Sequence, residues 1–185
     1  MFYLGACGGT GSRKEKVQTT GPYFDVAGFV QEQAAWLEKE KPVVTKTVTE
    51  NGANAETKKI ANLNWEKELE TFRELDINKP AFRNSYTSTR QQNAATGITT
   101  LTYRKKPGFE GNVQYLVIDT DARSQVVSIR GLQEAQNLLL LSRRQLELRC
   151  HTKNGKSRVI SYTIKGLQNP VIFETLHYAV FTRLG

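Results

Sequence analysis

Residues 146–164 read LELRCHTKNGKSRVISYTI, and the alternation in this stretch decides the fold. Leu146, Leu148 and Cys150 occupy every second position, as do Ile160, Tyr162 and Ile164, with Asn154-Gly155 between the two runs. Successive side chains of a strand point to opposite faces, so a period of two marks strands with one buried face. Asn-Gly suits a type I′ turn, whose two central residues both need positive φ. The stretch is therefore predicted to be an antiparallel hairpin.

The same period extends outward. Thr99, Leu101 and Tyr103 alternate, then Val113, Tyr115 and Val117, and a last strand near 172–183 places Leu176, Tyr178 and Val180 on one face. After Pro80 no helical spacing separates these runs, and the turns between them are short. That pattern predicts an antiparallel meander of about six strands. Leu138 to Leu141 is the longest apolar run, and it is predicted to be one buried strand.

Before Pro80 the period is different. In VAGFVQEQAAWLEKE, residues 26–40, Val26, Phe29, Val30, Ala34 and Leu37 share one helical face. Asp25 is a good N-cap, and Pro42 stops the helix. Residues 43–60 then place β-branched runs on either side of Asn51-Gly52, which predicts a hairpin. Asn64 caps a second helix carrying Trp65, Leu69, Phe72 and Leu75 on one stripe. The expected fold class is α+β: two N-terminal helices split by a β-hairpin, then the meander, with the helices packed on one sheet face.

A chain of 185 residues buries roughly 70% of its unfolded surface, enough for one domain without disulfide staples. There is no run of apolar residues long enough to span a bilayer as a helix. The formal net charge is +8, which attracts nucleic acid and anionic membranes alike. Its densest clusters are Arg13-Lys14-Glu15-Lys16, Arg104-Lys105-Lys106 and Arg143-Arg144. None is long enough to be more than a solvated face or turn.

Candidate chemistry is sparse. The cysteines are Cys7 and Cys150 and the histidines His151 and His177, without the paired spacing of a structural zinc site. Neighbours in a strand, Cys150 and His151 point to opposite faces, and Cys150 reads as a small buried apolar residue. Asp119 and Asp121 could pair as acid and base, but their DTDARS context is a turn in which Asp bonds its own backbone. Glu66, Glu68 and Glu70, beside Lys67 and Arg73, read as a solvated helix face. Tyr86, Tyr103, Tyr115, Tyr162 and Tyr178 lie in or near strands with basic neighbours. Such aromatics can stack nucleic-acid bases, although strand tyrosines usually serve packing. No catalytic residue, cofactor or metal ligand is assigned, and the chain is read as a non-enzyme.

The N-terminus carries the sharpest motif. Leu4-Gly5-Ala6-Cys7 resembles a bacterial lipobox, with Gly8 and a polar stretch behind it. Small residues before the thiol let the processing enzymes grip an extended chain, and acyl chains on Cys7 would hold the protein at a bilayer at roughly 0.8 kcal/mol per buried CH₂. Only Met1-Phe2-Tyr3 precede Leu4, too few for the apolar region of a signal peptide. The reading therefore places the rest of the signal upstream of Met1. Two other readings of the stretch stay open. Gly8-Gly9-Thr10-Gly11-Ser12-Arg13 resembles the phosphate-cradling loop of sugar-nucleotide transferases, but the KVQTTGP that follows does not open a helix. The cysteine could also be incidental.

Three further segments carry a resemblance: Lys41-Pro42-Val43-Val44-Thr45-Lys46-Thr47-Val48, Trp65-Glu66-Lys67-Glu68-Leu69 and Asp76-Ile77-Asn78-Lys79-Pro80-Ala81. With the lipobox, they resemble small uncharacterised envelope lipoproteins of Bacteroidota-type bacteria. The resemblance implies a lipid on Cys7 and an envelope location, and nothing about catalysis; the location is read as the periplasmic face of the outer membrane. Residues 1–21 are then a remnant signal peptide, the lipidated cysteine and a flexible tether, and residues 22–185 a single α+β domain. The expected role is a non-catalytic binding or structural module whose partners are the membrane, through Cys7, and an apolar ligand or envelope protein. The alternatives are a small-ligand or lipid carrier and a cytosolic basic nucleic-acid-binding domain, nucleic acid being the less favoured partner.

Overall fold

A computed structural model describes residues 21–53, 55–171 and 174–185. Helix α1 (Val26–Glu40) leads into strands β1 (Val44–Glu50) and β2 (Glu56–Ile60). Two single-turn helices follow, α2 (Trp65–Glu68) and α3 (Glu70–Arg73), and then a 3-10 turn, Pro80–Phe82. The remaining strands are β3 (Tyr86–Gln92), β4 (Thr99–Lys105), β5 (Val113–Thr120), β6 (Val126–Gln136), β7 (Leu140–Lys153), β8 (Lys156–Pro170) and β9 (Leu176–Leu184).

The local signals act as their chemistry dictates. Asp25 Oδ1 accepts the Gly28 N–H at 2.8 Å, capping α1. Lys41 turns left-handed at φ 46° and returns its N–H to Leu37 O, ending the helix ahead of Pro42. Both Asn-Gly turns take positive φ at each residue, 47° and 74° at Asn51-Gly52 and 53° and 74° at Asn154-Gly155.

All the strands join one antiparallel sheet of order β2-β1-β9-β8-β7-β6-β5-β4-β3. β3 to β9 form an unbroken meander, and the N-terminal hairpin returns to pair β1 with β9, from Val44 opposite Leu184 to Glu50 opposite Tyr178. The class is α+β, as expected, but the described residues form nine strands where the hairpin plus about six were expected. β3 and β6 are the strands that the alternation did not mark. YTSTRQQ of β3 is buried only at Tyr86, because an edge strand beyond the helices has little to cover. VVSIRGLQEAQ of β6 buries Ser128, Gln133 and Gly131 among its apolar residues, which hides the alternation.

One sheet face carries the helices. Leu37, Trp65, Leu69, Phe72, Leu75 and Ile77 are fully buried against Leu116, Ile118, Ile129, Leu146, Leu148 and Tyr162. Each such side chain stabilises the fold by roughly 1.5–3 kcal/mol relative to exposure. The stripe Trp65, Leu69, Phe72 is buried as predicted, but the second helix is interrupted. At Leu69 the ladder tightens, and Phe72 N donates to Leu69 O at 3.0 Å.

Two other expectations are corrected. In β5 the buried row is Leu116, Ile118 and Thr120, whereas Tyr115 and Val117 face away from the helices. A register shift between Val113 and Tyr115 turns Val113 inward, so the Val113, Tyr115, Val117 alternation is not one face. Leu138–Leu141 is not a buried strand. Leu138 and Leu139 form the β6–β7 turn, 94% and 69% exposed, and β7 begins only at Leu140. The last strand also starts later than predicted, at Leu176.

Candidate functional site

With the helices on one face, no other described element covers the opposite face of the sheet, and three rows of aligned residues cross it. The first runs Arg104, Tyr115, Leu132, Gln145, Lys165, Ala179. The second runs Thr102, Val117, Arg130, Glu147, Thr163, Phe181, and the third Thr100, Asp119, Ser128, Arg149, Ser161, Arg183. Among these residues Arg104, Arg130, Arg149, Lys165 and Arg183 outnumber the carboxylates Asp119 and Glu147, so the face is net basic. Arg130 and Asp119 pair at 2.7 Å, as do Arg149 and Glu147. Among the described residues no carboxylate lies within salt-bridge distance of Arg104, Lys165 or Arg183. Arg104 instead sits over the Tyr115 ring, 6.0 Å from its centroid.

A groove of about 350 Å³ opens on the first row. Tyr115, Leu132 and Leu167 give it an apolar floor, and Arg143, Gln145 and Lys165 give it a polar, cationic wall. A second cleft, of about 430 Å³, lies at one end of the helical layer, between Glu74, Lys79, Phe82, Glu110 and Arg144. It also reaches Gln133, which is 6% exposed and whose Oε1 has no hydrogen-bond partner among the described residues. Arg144 and Glu74 pair at 3.2 Å across its margin.

The residues singled out in the sequence scatter. Asp119 is saturated, accepting from Thr100 Oγ1, Ser128 Oγ and Arg130 at 2.7 Å each. Burial pushes its carboxyl up, but those donors outweigh burial and hold it below the usual aspartate range. Asp121 accepts the backbone N–H groups of Arg123 and Gln125 at 2.9 and 2.8 Å, closing its own turn. His151 and His177 are exposed on separate strands. Cys150 is 7% exposed, and burial pushes its thiol up to about 12. Tyr86, Tyr103 and Tyr162 are buried on the helix side, and of the five strand tyrosines only Tyr115 stands in the bare rows. Cys7 and the phosphate-loop stretch lie outside the described residues.

Glu68 departs from its reading as part of a solvated face. Its side chain is 16% exposed, and Lys46 Nζ lies 2.6 Å from Oε1. Tyr162 donates to the same oxygen at 2.5 Å. Burial raises the Tyr162 phenol well above its ordinary value, and the bond to Glu68 adds to this. The group lies under α2 and ties the helix layer to β1 and β8. The sequence signal was weak: a Glu one residue before a buried Leu, with its partners far along the chain.

Fold and surface together define an α+β protein with an antiparallel sheet whose helix-facing side is filled and whose other side is basic and uncovered by the described residues. No family model matches the chain, and no curated protein and no solved structure matches it either.

Proposed function

We propose that this chain is a lipid-anchored protein of the cell envelope, acting as a non-catalytic binding or structural module. Cys7 carries the lipid, the residues after it form the tether, and the bare sheet face is the working surface. The observation that carries the binding role is the one-sided cover of the sheet. Its three rows present exposed Arg, Lys and Phe181 side chains among half-buried Thr and Tyr115, on well-paired strands. Rigid strands hold such a surface in place better than loops would. The lipobox-like Leu4-Gly5-Ala6-Cys7 supports the anchor.

The test is the mass of the N-terminal peptide from membranes of the native host, compared with a Cys7→Ser variant. Acyl mass on Cys7, lost together with membrane retention in the variant, supports the reading. An unmodified cysteine on a fully soluble protein overturns it.

A second reading, a nucleic-acid-binding domain, draws on the Arg104–Tyr115 pair and the unpaired Lys165 and Arg183. It predicts single-strand binding that falls steeply with salt. The burial of Tyr86, Tyr103 and Tyr162 removes most of the stacking platform that reading needs.

A further inference from the structure

At one end of the sheet the β6–β7 and β8–β9 hairpins project together. β5 pairs with β6 only as far as Gln133, and β9 pairs with β8 only as far as Gln168. Beyond those points β7 still pairs with β6 out to Gln136 and with β8 out to Pro170. At about 3.3 Å per residue, the three positions from Gln133 to Gln136 extend roughly 10 Å past β5. The end of this projection is apolar. Leu138 is 94% exposed, Leu139 69% and Val171 72%, and Leu141 follows at 37%. The two turns touch, Val171 N donating to Leu139 O at 3.0 Å.

The β6–β7 turn satisfies much of its own backbone. Asn137 Oδ1 accepts the N–H of both Leu139 and Leu140 at 2.9 Å, and Asn137 N donates to Leu140 O. Such a turn loses few hydrogen bonds when it leaves water, which is what entry into a bilayer demands. Cations come directly behind. Arg143 and Lys165 line the groove on the bare face with Leu132 and Leu167; Leu167 is level with Arg143, and Leu132 and Lys165 share the next row back. Leu141 and Arg143 are two residues apart, roughly 7 Å along the strand. That matches the headgroup layer, which is roughly 5–8 Å on each side of the hydrocarbon. Nearby carboxylates are Glu134, 3.1 Å from Arg143, and Glu174 in the β8–β9 connection; Lys165 has no such partner among the described residues.

We propose that this paired tip is a membrane-docking site: Leu138, Leu139 and Val171 enter the acyl boundary of a leaflet while Arg143 meets its phosphates and Lys165, one row further back, adds longer-range attraction to an anionic surface. The layering, hydrocarbon first and cations behind, has the order of a lipid surface. The contact is separate from the lipid on Cys7 and does not rest on it.

The experiment uses the full chain carrying Cys7→Ser, so that no acyl group contributes. It is sedimented with vesicles of phosphatidylcholine containing one quarter phosphatidylglycerol. The chain is expected to pellet with the vesicles. The L138E/L139E double variant is expected to lose roughly tenfold or more in partitioning per leucine. Lys165→Glu is expected to lose roughly fivefold on the anionic vesicles and little on pure phosphatidylcholine. Because the tip side chains are solvated, both variants should melt like the parent. Leu138→Trp adds a direct readout: its emission shifts to the blue on vesicles and is quenched by brominated acyl chains. Unchanged pelleting of the double variant, or no quenching of the new tryptophan, overturns the proposal. So does a parent that ignores vesicles but self-associates in sedimentation velocity, with the double variant monomeric; that result assigns the tip to a second copy of the chain.

Discussion

Tyr162 and Glu68, 94 residues apart in the chain, share a 2.5 Å hydrogen bond in which the phenol donates and the carboxylate accepts. Lys46 holds the same oxygen at 2.6 Å. One carboxylate thus joins α2 to β1 and β8, and the Tyr162 and Phe72 rings meet in a T-shaped pair, centroid to centroid 5.6 Å. The network closes the helix layer over the sheet.

Breaking it from either end has different costs. Tyr162→Phe removes one bond and leaves Glu68 with Lys46, so a loss of about 1–2 kcal/mol is expected. Glu68→Ala strands a buried phenol and an ammonium together, and about 2–4 kcal/mol is expected. Urea unfolding checks both, with the midpoint shifted and the slope unchanged.

Alkaline pH should weaken the fold. Burial raises the Tyr162 phenol, Glu68 raises it further, and burial lifts Tyr86 to about 12. The unfolded phenols titrate near their ordinary value of about 10. Above that pH the folded state binds more protons than the unfolded state, so stability falls as pH rises. Unfolding free energy measured against pH should be level below about pH 9 and decline beyond about pH 10. Tyr162→Phe should flatten the decline, and an unchanged slope would refute this assignment.

Acid acts through Asp119. Its folded-state value is lowered by Thr100, Ser128 and Arg130 against the opposing effect of burial. Stability from this group is therefore present above the unfolded value of about 3.9 and is lost as pH falls through the folded value. Asp119→Asn should cost about 1–2 kcal/mol at neutral pH and reduce the acid dependence of the melting temperature.

Gly131 is required by close approach. A Cβ built there would lie 2.4 Å from Leu75 Cδ2 and 2.9 Å from Cδ1, and Leu75 is fully buried with little room to move. Gly131→Ala should cost about 1–3 kcal/mol by overpacking. A double-mutant cycle with Leu75→Ala should show coupling between the two sites.

Cys150 should be inert while the chain is folded. Burial leaves the thiol 7% exposed and pushes it up to about 12, and the thiolate is the reactive form. In the Cys7→Ser background a thiol reagent should label Cys150 only as fast as the protein unfolds. Prompt labelling in native buffer would contradict the buried placement.

What was legible in the sequence was local. The Asp25 cap, the stop before Pro42, both Asn-Gly turns and the alternation around Cys150 depend on residues a few positions apart, whose chemistry acts without the rest of the fold. The α+β class followed from them. The strands that escaped were β3, an edge with one buried residue, and β6, where Gly131 and Gln133 take core positions that a pattern reserves for apolar side chains. Glu68 escaped for the same reason: a carboxylate on a short helix looks solvated until Lys46 and Tyr162 are placed against it.

Tertiary structure decided the remainder. An alternating strand defines two faces but does not say which will be covered, so Tyr115 and Val117 read as core and stand on the bare face. Four consecutive leucines announce burial by composition alone, yet Leu138 and Leu139 emerge at a turn because β7 and β8 outrun their neighbours. The return of β1 to the edge of β9 rests on pairing between the two ends of the chain. Such contacts depend on where every intervening element has gone, and only the assembled sheet determines that.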